Sequence, residues 1–336
     1  MRTAQVEQLL RVSIPHGLSA LLVGQPGVGK TSIIKQLAEE LKYELIIMHP
    51  SVSDPTDYKG LPFATPDGKA KFLPFDDLNR LIETDKPTIA FLDDLGQAPA
   101  SVQAACMQLI LERRINGHMI SDKVVFTAAT NRASDRAGVT PILEPVKSRF
   151  VNIIDVDIHV DDWIKWALKE DLPIEVIAFV KYCPSALTDW KPEREIKQQP
   201  SPRTIEFMAR MFATGQVPPA IEFDTYKSIV GEGIAGQFVG FIKVMRELPD
   251  PDQCIMSPDT APVPKSPDAA YALAVTLTRK ANANNLGNIL KYTSRLQKEY
   301  DVLFIKFAIE QNKALANTKA YIKWASENHE EVFGNE

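Results

Sequence analysis

The sequence predicts a parallel α/β core followed by an all-helical region. Over about the first 155 residues, short apolar runs alternate with helical patterns, which is typical of a parallel sheet covered by helices. After Asp157 convincing strand patterns become scarce and short helical patterns replace them. With 336 residues, of which 45% are hydrophobic and 24% charged, the chain is long enough for about two domains with sizeable cores.

Five apolar runs predict the strands of the core, at residues 18–23, 43–48, 88–92, 124–128 and 151–156. Such apolar runs suit strands that helices cover on both faces. A helix is expected from Lys30, because apolar residues recur after it at spacings of three and four. The first run, the turn after it and this helix therefore form one strand–loop–helix unit.

Composition and sequence pattern divide the chain into four regions. We expect an α/β core at residues 1–156 and an all-α region at residues 157–247. Residues 248–267 contain six prolines and are expected to form a linker or an irregular wrap. Residues 268–336 are expected to form a C-terminal helical extension, and their apolar stripe at 286–307 predicts a core or a subunit interface.

Charge and composition argue against several classes of protein. The net charge of −5 and the pI near 5.7 count against a nucleic-acid binder with a basic face. No apolar run approaches the length of a membrane span, and the first residues lack the apolar stretch of a signal peptide. Cys106, Cys183 and Cys254 are too scattered for a disulfide framework, so we expect small buried thiols in a cytoplasmic protein.

The segment GQPGVGKT at residues 24–31 matches the phosphate-binding pattern G-x-x-x-x-G-K-[ST] between a predicted strand and a predicted helix. Its glycines allow backbone turns that aim N–H groups inward at a helix N-terminus, which makes an anion site. Lys30 would supply a charge to the β- and γ-phosphates, and the Thr31 hydroxyl would ligate Mg²⁺. The residues expected to bind nucleotide are Gly24, Gln25, Pro26, Gly27, Val28, Gly29, Lys30, Thr31 and Ser32.

An acidic pair follows the apolar run at residues 88–92. A nucleotide site of this kind needs a second Mg²⁺ ligand from the carboxyl end of a neighbouring buried strand. Asp93 is the expected Mg²⁺ anchor, and Asp94 is placed to orient or deprotonate an attacking water.

Three further polar residues are candidates for the reaction. Asn131 follows the apolar run that begins at Val124, where its side chain could hydrogen-bond a γ-phosphate or the attacking water. Arg149 lies just before the last predicted core strand, and Arg203 lies at the start of a later helix. The guanidinium group suits a developing negative charge because it is planar and always charged.

In this order the motifs resemble those of an AAA+ ATPase, and more narrowly of its MoxR-like branch, over about residues 5–245. The resemblance implies that Asn131 is sensor 1, that Arg149 is a finger acting on a neighbouring subunit, and that Arg203 is sensor 2 in a helical lid. It also implies an AAA+ P-loop core, ATP as the nucleotide, Mg²⁺ as the cofactor and a homo-oligomeric ring, expected to be a hexamer.

Two insertions also resemble the MoxR-like pattern, at residues 53–72 and 112–119, and both are expected to be β-hairpins. The resemblance implies that they face the ring pore or a client protein, with Lys69, Lys71 and Phe72 as client contacts. Two ordinary surface hairpins are the alternative interpretation.

The acidic pair departs from the family, which usually has Asp-Glu where this chain has Asp93 and Asp94. Aspartate is one methylene shorter, so the water would be held less well. A misplacement of about 1 Å can cost about 10²-fold in rate. The shorter side chain therefore predicts slower turnover, although hydrolysis is still expected.

The expected function is Mg²⁺-dependent ATP hydrolysis that remodels or matures a client protein, and the resemblance implies a von Willebrand factor A-type partner. Three alternatives stay open: a nucleotide-gated assembly or scaffold protein with little turnover, a nucleic-acid motor or loader, and a small-molecule P-loop kinase. The acidic balance counts against the nucleic-acid alternative. The kinase would leave Arg149 and Arg203 without matched roles.

Overall fold

The structure consists of a parallel α/β unit and a helical unit, which confirms the predicted fold class. The computed structural model describes four stretches of chain, residues 1–135, 142–191, 196–246 and 248–328. The first compact unit is built on Met1–His159, and the second on Val160–Trp190 and the described residues from Ile196 onward. Within the described stretches, no helix is both long and apolar enough to cross a membrane.

A five-stranded parallel sheet forms the centre of the first unit. Its strands in spatial order are β2 (Glu44–Met48), β5 (Thr88–Leu92), β8 (Val124–Thr130), β1 (Ala20–Val23) and β9 (Asn152–Asp155). All five predicted strands are present, with ends that differ from the prediction by no more than two residues. Every residue of β5 and β8 is buried, because helices cover both faces of the sheet.

In the described part of this unit, six α-helices accompany the sheet: α1 (Thr3–Ser13), α2 (Lys30–Leu41), α3 (Pro55–Lys59), α4 (Asp76–Glu83), α5 (Ala100–Glu112) and α6 (Glu144–Lys147). Helices α1 and α2 contribute Leu10, Ile34 and Leu37 to one buried cluster. Helices α4 and α5 contribute Leu81 and Leu109 to a second cluster. The helix expected from Lys30 begins at that residue, and its predicted apolar stripe is the buried one.

Both expected hairpins are present in the first unit. Strands β3 (Leu61–Ala64) and β4 (Ala70–Leu73) form one antiparallel pair, and β6 (Arg114–Ile115) and β7 (His118–Met119) form the other. Asn116 Nδ2, in the turn of the second hairpin, donates to the carbonyl oxygen of Lys59 at the end of α3, at 2.7 Å. A ring nitrogen of His118 also lies 3.0 Å from the Phe72 carbonyl oxygen, so the hairpins form one surface.

The second unit is helical throughout its described secondary structure. Its helices are α7 (Val160–Lys169), α8 (Ile174–Tyr182), α9 (Ser185–Thr188), α10 (Pro202–Ala213), α11 (Glu222–Val230), α12 (Glu232–Arg246), α13 (Pro251–Met256), α14 (Pro267–Lys280), α15 (Leu286–Thr293), α16 (Lys298–Gln311) and α17 (Lys319–Glu327). The predicted domain boundaries within this unit stay a prediction.

Two sequence features take a definite form in the second unit. The proline-rich stretch contains α13 and contributes Cys254 and Ala261 to the buried cluster of the C-terminal helices. The apolar stripe at 286–307 lies on two successive helices, α15 and α16, and supplies core residues to the same cluster. All three cysteines are buried free thiols, as predicted, and burial raises the pKa of Cys106 to about 12.

Candidate functional site

The glycine-rich loop runs from the end of β1 to the first residue of α2. Gly27 has a φ of 78° and Gly29 a φ of 101°, in the left-handed region that glycine adopts without strain. Gly24 is required for a different reason, because a Cβ added there would lie 3.0 Å from the carbonyl oxygen of Val156. The loop therefore turns tightly against the carboxyl end of β9.

Lys30 joins this loop to the end of β8. The side chain is buried, and its Nζ donates to the carbonyl oxygens of Gly24 at 2.8 Å and Gln25 at 3.1 Å. Nζ also donates to Asn131 Oδ1 at 2.8 Å. These acceptors are neutral oxygens, and an anionic phosphate oxygen would be a stronger partner for the same ammonium group.

Thr31 joins the loop to the end of β5. Its Oγ1 donates to Asp93 Oδ2 at 2.8 Å, and the other oxygen, Oδ1, accepts from the backbone N–H of Asp94 at 3.1 Å. A hydroxyl and a carboxylate are hard oxygen ligands that suit Mg²⁺, which takes few protein ligands and keeps waters and phosphate oxygens. In the described part of the chain, no group of three or more His, Cys, Asp or Glu is arranged for a metal. The Thr31–Asp93 pair thus fits Mg²⁺ bound together with a nucleotide.

Asp94 is held by a residue that sequence reasoning missed. Gln97 Nε2 donates to Asp94 Oδ1 at 2.9 Å, while the Asp94 backbone is left-handed, with φ 56° and ψ 37°. The turn that carries both residues lies against the end of β8, because a Cβ added at Gly96 would clash with Thr130 Oγ1. The sequence signal was an amide side chain three positions after Asp94.

Arg132 is a second residue that the motifs did not reveal. Its Nε and Nη2 donate to Asp155 Oδ1 at 2.9 and 2.6 Å, and Nη2 donates to Asp157 Oδ1 at 2.8 Å. Burial lowers the pKa of Arg132, but the hydrogen bonds to the two carboxylates outweigh it and the net shift is upward. Arg132 therefore ties the residue after Asn131 to the carboxyl end of β9. The only sequence signal was a charged residue directly after Asn131.

Arg149 lies at the opposite edge of the sheet. Its carbonyl oxygen accepts from Ser19 Oγ at 2.9 Å, and Ala20 pairs with Asn152 at the amino ends of β1 and β9. The four residues of β1 separate that edge from the glycine-rich loop by about 10 Å. Arg149 Nη1 donates to Ser148 Oγ at 3.0 Å, and Nε is buried without a partner among the described residues. The structure thus does not bring Arg149 together with the other candidates of its own chain.

Arg203 belongs to the second unit, where it is the second residue of α10. Ser201 caps this helix: its Oγ accepts from the Thr204 backbone N–H at 3.2 Å, and its own N–H donates to Thr204 Oγ1 at 2.9 Å. The Arg203 side chain is exposed. Its role as a sensor stays a prediction.

Comparison with known families agrees with this geometry. Residues 20–158 match the family model of the ATPase family associated with various cellular activities (AAA), a range that runs from β1 to just beyond β9. This range contains the glycine-rich loop, Asp93 and Asn131. None of the curated proteins matches the sequence significantly.

Several solved structures are similar to the chain at low identity. The RuvB Holliday junction branch migration motor from Thermotoga maritima matches with a TM-score of 0.40 and 16% identity, covering 87% of this chain and 86% of its own. NtrX from Brucella abortus in complex with ADP matches with a TM-score of 0.43 and 13% identity, covering 98% of this chain and 68% of its own. A putative ATPase from Cytophaga hutchinsonii matches with a TM-score of 0.34 and 15% identity, covering 91% and 79%.

Proposed function

We propose that this chain hydrolyses ATP with Mg²⁺ at the carboxyl edge of its parallel sheet. The observation that carries the proposal is that two contacts of equal length join the start of α2 to the ends of β8 and β5. Lys30 Nζ lies 2.8 Å from Asn131 Oδ1, and Thr31 Oγ1 lies 2.8 Å from Asp93 Oδ2. The match of residues 20–158 to the AAA family supports ATP as the substrate.

In this proposal the loop and the N-terminus of α2 bind the phosphates, and Lys30 exchanges its neutral partners for phosphate oxygens. Thr31 and Asp93 hold Mg²⁺, which when bound draws negative charge from the phosphate oxygens. Asn131 Oδ1 accepts from Lys30, so the Asn131 amide nitrogen Nδ2 is the atom that would donate to a phosphate oxygen or to water.

Asp94 is the proposed acceptor for the attacking water. The water oxygen bonds to the γ-phosphorus, one of its protons passes to the Asp94 carboxylate, and the bond from phosphorus to the ADP oxygen breaks. The Asp94 backbone lies beside the Thr31–Asp93 pair, since its N–H donates to Asp93 Oδ1 at 3.1 Å.

The active form is proposed to be a ring, expected to be a hexamer. Arg149 lies at the amino edge of the sheet, about 10 Å from the glycine-rich loop of its own chain, which supports a role in a neighbouring subunit's site. A cation supplied in this way is worth about 10³–10⁵ in rate in related phosphoryl transfers. Arg203 is the proposed lid cation.

The two hairpins are the proposed contact with a client protein. Leu61 pairs directly with Leu73, and Phe63 lies on the same face, where all three side chains are about half exposed or more. Lys69 and Lys71 are exposed beside them. Client remodelling or maturation of the MoxR-like type, a von Willebrand factor A-type partner and a cytoplasmic location are parts of the proposal that rest on the sequence and its resemblance.

The first prediction tests the site with Lys30→Ala. We expect hydrolysis to fall by about 10²–10³-fold or more, because the substitution removes a buried charge-stabilising donor. Steady-state phosphate release measures hydrolysis, and calorimetry measures the binding of ATP. The matched control is Lys35→Ala, an exposed lysine on the same helix, which should leave both unchanged. Hydrolysis by Lys30→Ala at the wild-type rate would contradict the assignment of the site.

A further inference from the structure

The amide nitrogen of Gln97 has a hydrogen-bond partner, whereas its carbonyl oxygen has none among the described residues. Its orientation is fixed by chemistry, because the Asp94 carboxylate only accepts hydrogen bonds and the amide nitrogen must therefore face it at 2.9 Å. The carbonyl oxygen Oε1 then faces away from Asp94. This oxygen is buried and has no hydrogen-bond partner among the residues that the structure describes.

A buried acceptor without a partner is costly, so the hydrogen bond from Gln97 to Asp94 is kept at a free-energy cost at Oε1. The turn that carries it is fixed in place at the nucleotide edge of the sheet. Gly96 packs against Thr130, whose strand leads to Asn131, and Asp94 is hydrogen-bonded to the Asp93 carboxylate that also accepts from Thr31. The hydrogen bond from Gln97 Nε2 therefore holds the Asp94 carboxylate at the edge of the sheet that carries the proposed site.

We propose that Gln97 is a positioning residue for Asp94, the proposed acceptor of the water proton. The inference rests on the proposed ATPase function. A hydrogen bond from the Gln97 amide to Oδ1 restrains the Asp94 carboxylate, so that its other oxygen can accept the water proton from a fixed position. The position of the short Asp94 side chain is set by its hydrogen bond from the amide nitrogen of Gln97.

The reaction balances with these partners. The water oxygen forms the new bond to phosphorus, one proton moves to the Asp94 carboxylate, and the other stays on the oxygen that becomes part of the product phosphate. The bond from phosphorus to the ADP oxygen breaks in the same reaction. Gln97 exchanges no proton, so its contribution is orientation.

The second prediction concerns the rate of Gln97→Ala. We expect kcat to fall by about 10–10²-fold with KM changed less than about twofold, because the change affects only the orientation of the water and its acceptor. Gln97→Glu should also lose rate, since a carboxylate has no proton to donate to Asp94 at neutral pH. The matched control is Gln108→Ala, which removes a glutamine–carboxylate hydrogen bond, to Glu112, outside the site.

A double-mutant cycle tests whether Gln97 acts through Asp94. In the Asp94→Ala background, Gln97→Ala should cost less than about threefold, because the group that it positions is gone. Full additivity of the two losses would overturn the positioning role. An increase in rate in Gln97→Ala would also overturn it, because Gln97 would then restrain Asp94 in an inactive position.

Binding provides a readout that does not depend on turnover. Calorimetry should give Gln97→Ala an unchanged affinity for ADP and a loss of about 10-fold or more in affinity for ADP with aluminium fluoride and Mg²⁺, which mimics the transition state. Equal loss for both ligands, or for neither, would overturn the inference. Hydrolysis that depends on Lys30 but not on Gln97 overturns this inference alone, whereas wild-type protein without hydrolysis overturns the proposed function.

Discussion

The two edges of the parallel sheet carry their candidate residues in different states. At the carboxyl edge, Lys30, Thr31, Asp93 and Asn131 are joined by hydrogen bonds of 2.8 Å. At the amino edge, Arg149 is bonded to the adjacent Ser148, and its Nε is buried without a partner in the described chain. One edge thus brings its candidate residues into contact, and the other holds Arg149 apart from the candidates of its own chain.

The difference follows from the topology. Parallel strands bring all their carboxyl ends to one edge, so the loops after β1, β5 and β8 meet there. A residue that precedes β9 must lie at the other edge. Nucleotide binding should therefore be a property of one chain, and rapid hydrolysis a property of two chains in contact.

The third prediction, with the largest expected effect on this comparison, is that Arg149→Ala separates the two properties. We expect hydrolysis to fall by about 10³–10⁵-fold and ATP affinity to stay within about threefold, because the arginine contributes only to a neighbour's transition state. Phosphate release as a function of protein concentration and calorimetric binding measure these effects. Lys147→Ala is the matched control, since it removes a cation that pairs with Glu144 on the same edge.

Mixing variants sharpens this test. Arg149→Ala protein keeps an intact nucleotide site, and Lys30→Ala protein keeps an intact arginine. If the arginine acts between subunits, an equimolar mixture should hydrolyse ATP faster than either variant alone. Activity of Arg149→Ala that equals wild type, at every protein concentration, would mean that the carboxyl edge is complete by itself.

The fold was predictable because its signals are local. Each apolar run between residues 18 and 156 became a strand within two residues of its predicted ends, since a buried parallel strand must be apolar on both faces. The helical stripe at 286–307 was predicted less precisely. It lies on α15 and α16 with a break between Thr293 and Lys298, which apolar spacing alone did not reveal.

The candidate site was predictable where residue type and strand position coincide. Lys30, Asp93 and Asn131 follow apolar runs, and parallel topology then brings them together. Gln97 and Arg132 were not found, because their roles depend on partners that only the fold supplies: an adjacent carboxylate for Gln97, and the distant end of β9 for Arg132. No pattern in the sequence links Arg132 to residues more than twenty positions away.

The fourth prediction tests how tightly the carboxyl edge is packed, using glycines of the two units. Gly96→Ala should lower the free energy of unfolding by about 1–3 kcal/mol, because its Cβ would clash with Thr130 Oγ1. Gly240→Ala should raise it by about 0.5–1 kcal/mol, because that helical glycine is exposed with nothing within 4 Å of an added Cβ. Urea unfolding at equilibrium measures both. A rise in stability for both would mean that the turn holding Asp94 can move to accept the added Cβ.

The fifth and smallest expected effect belongs to Arg132, which joins the carboxyl ends of β8 and β9. Arg132→Ala should cost no more than about 1 kcal/mol of stability, because the side chains of Asp155 and Asp157 are largely exposed, at 62% and 60%. Its effect on hydrolysis should be larger than that cost implies, roughly 3–10-fold in kcat, since Asn131 precedes it and accepts from Lys30.

The matched control for Arg132 is Arg11→Ala, which removes a two-pronged arginine–carboxylate pair with Glu40 on α1 and α2. It should cost similar stability and leave kcat unchanged. Because exposed ion pairs weaken in salt, the wild-type kcat should fall toward the Arg132→Ala value as ionic strength rises. The kcat of Arg132→Ala should not change with ionic strength. Equal kcat for both variants would mean that the carboxyl edge keeps its geometry through the backbone and Lys30 alone, without the arginine that ties it to β9.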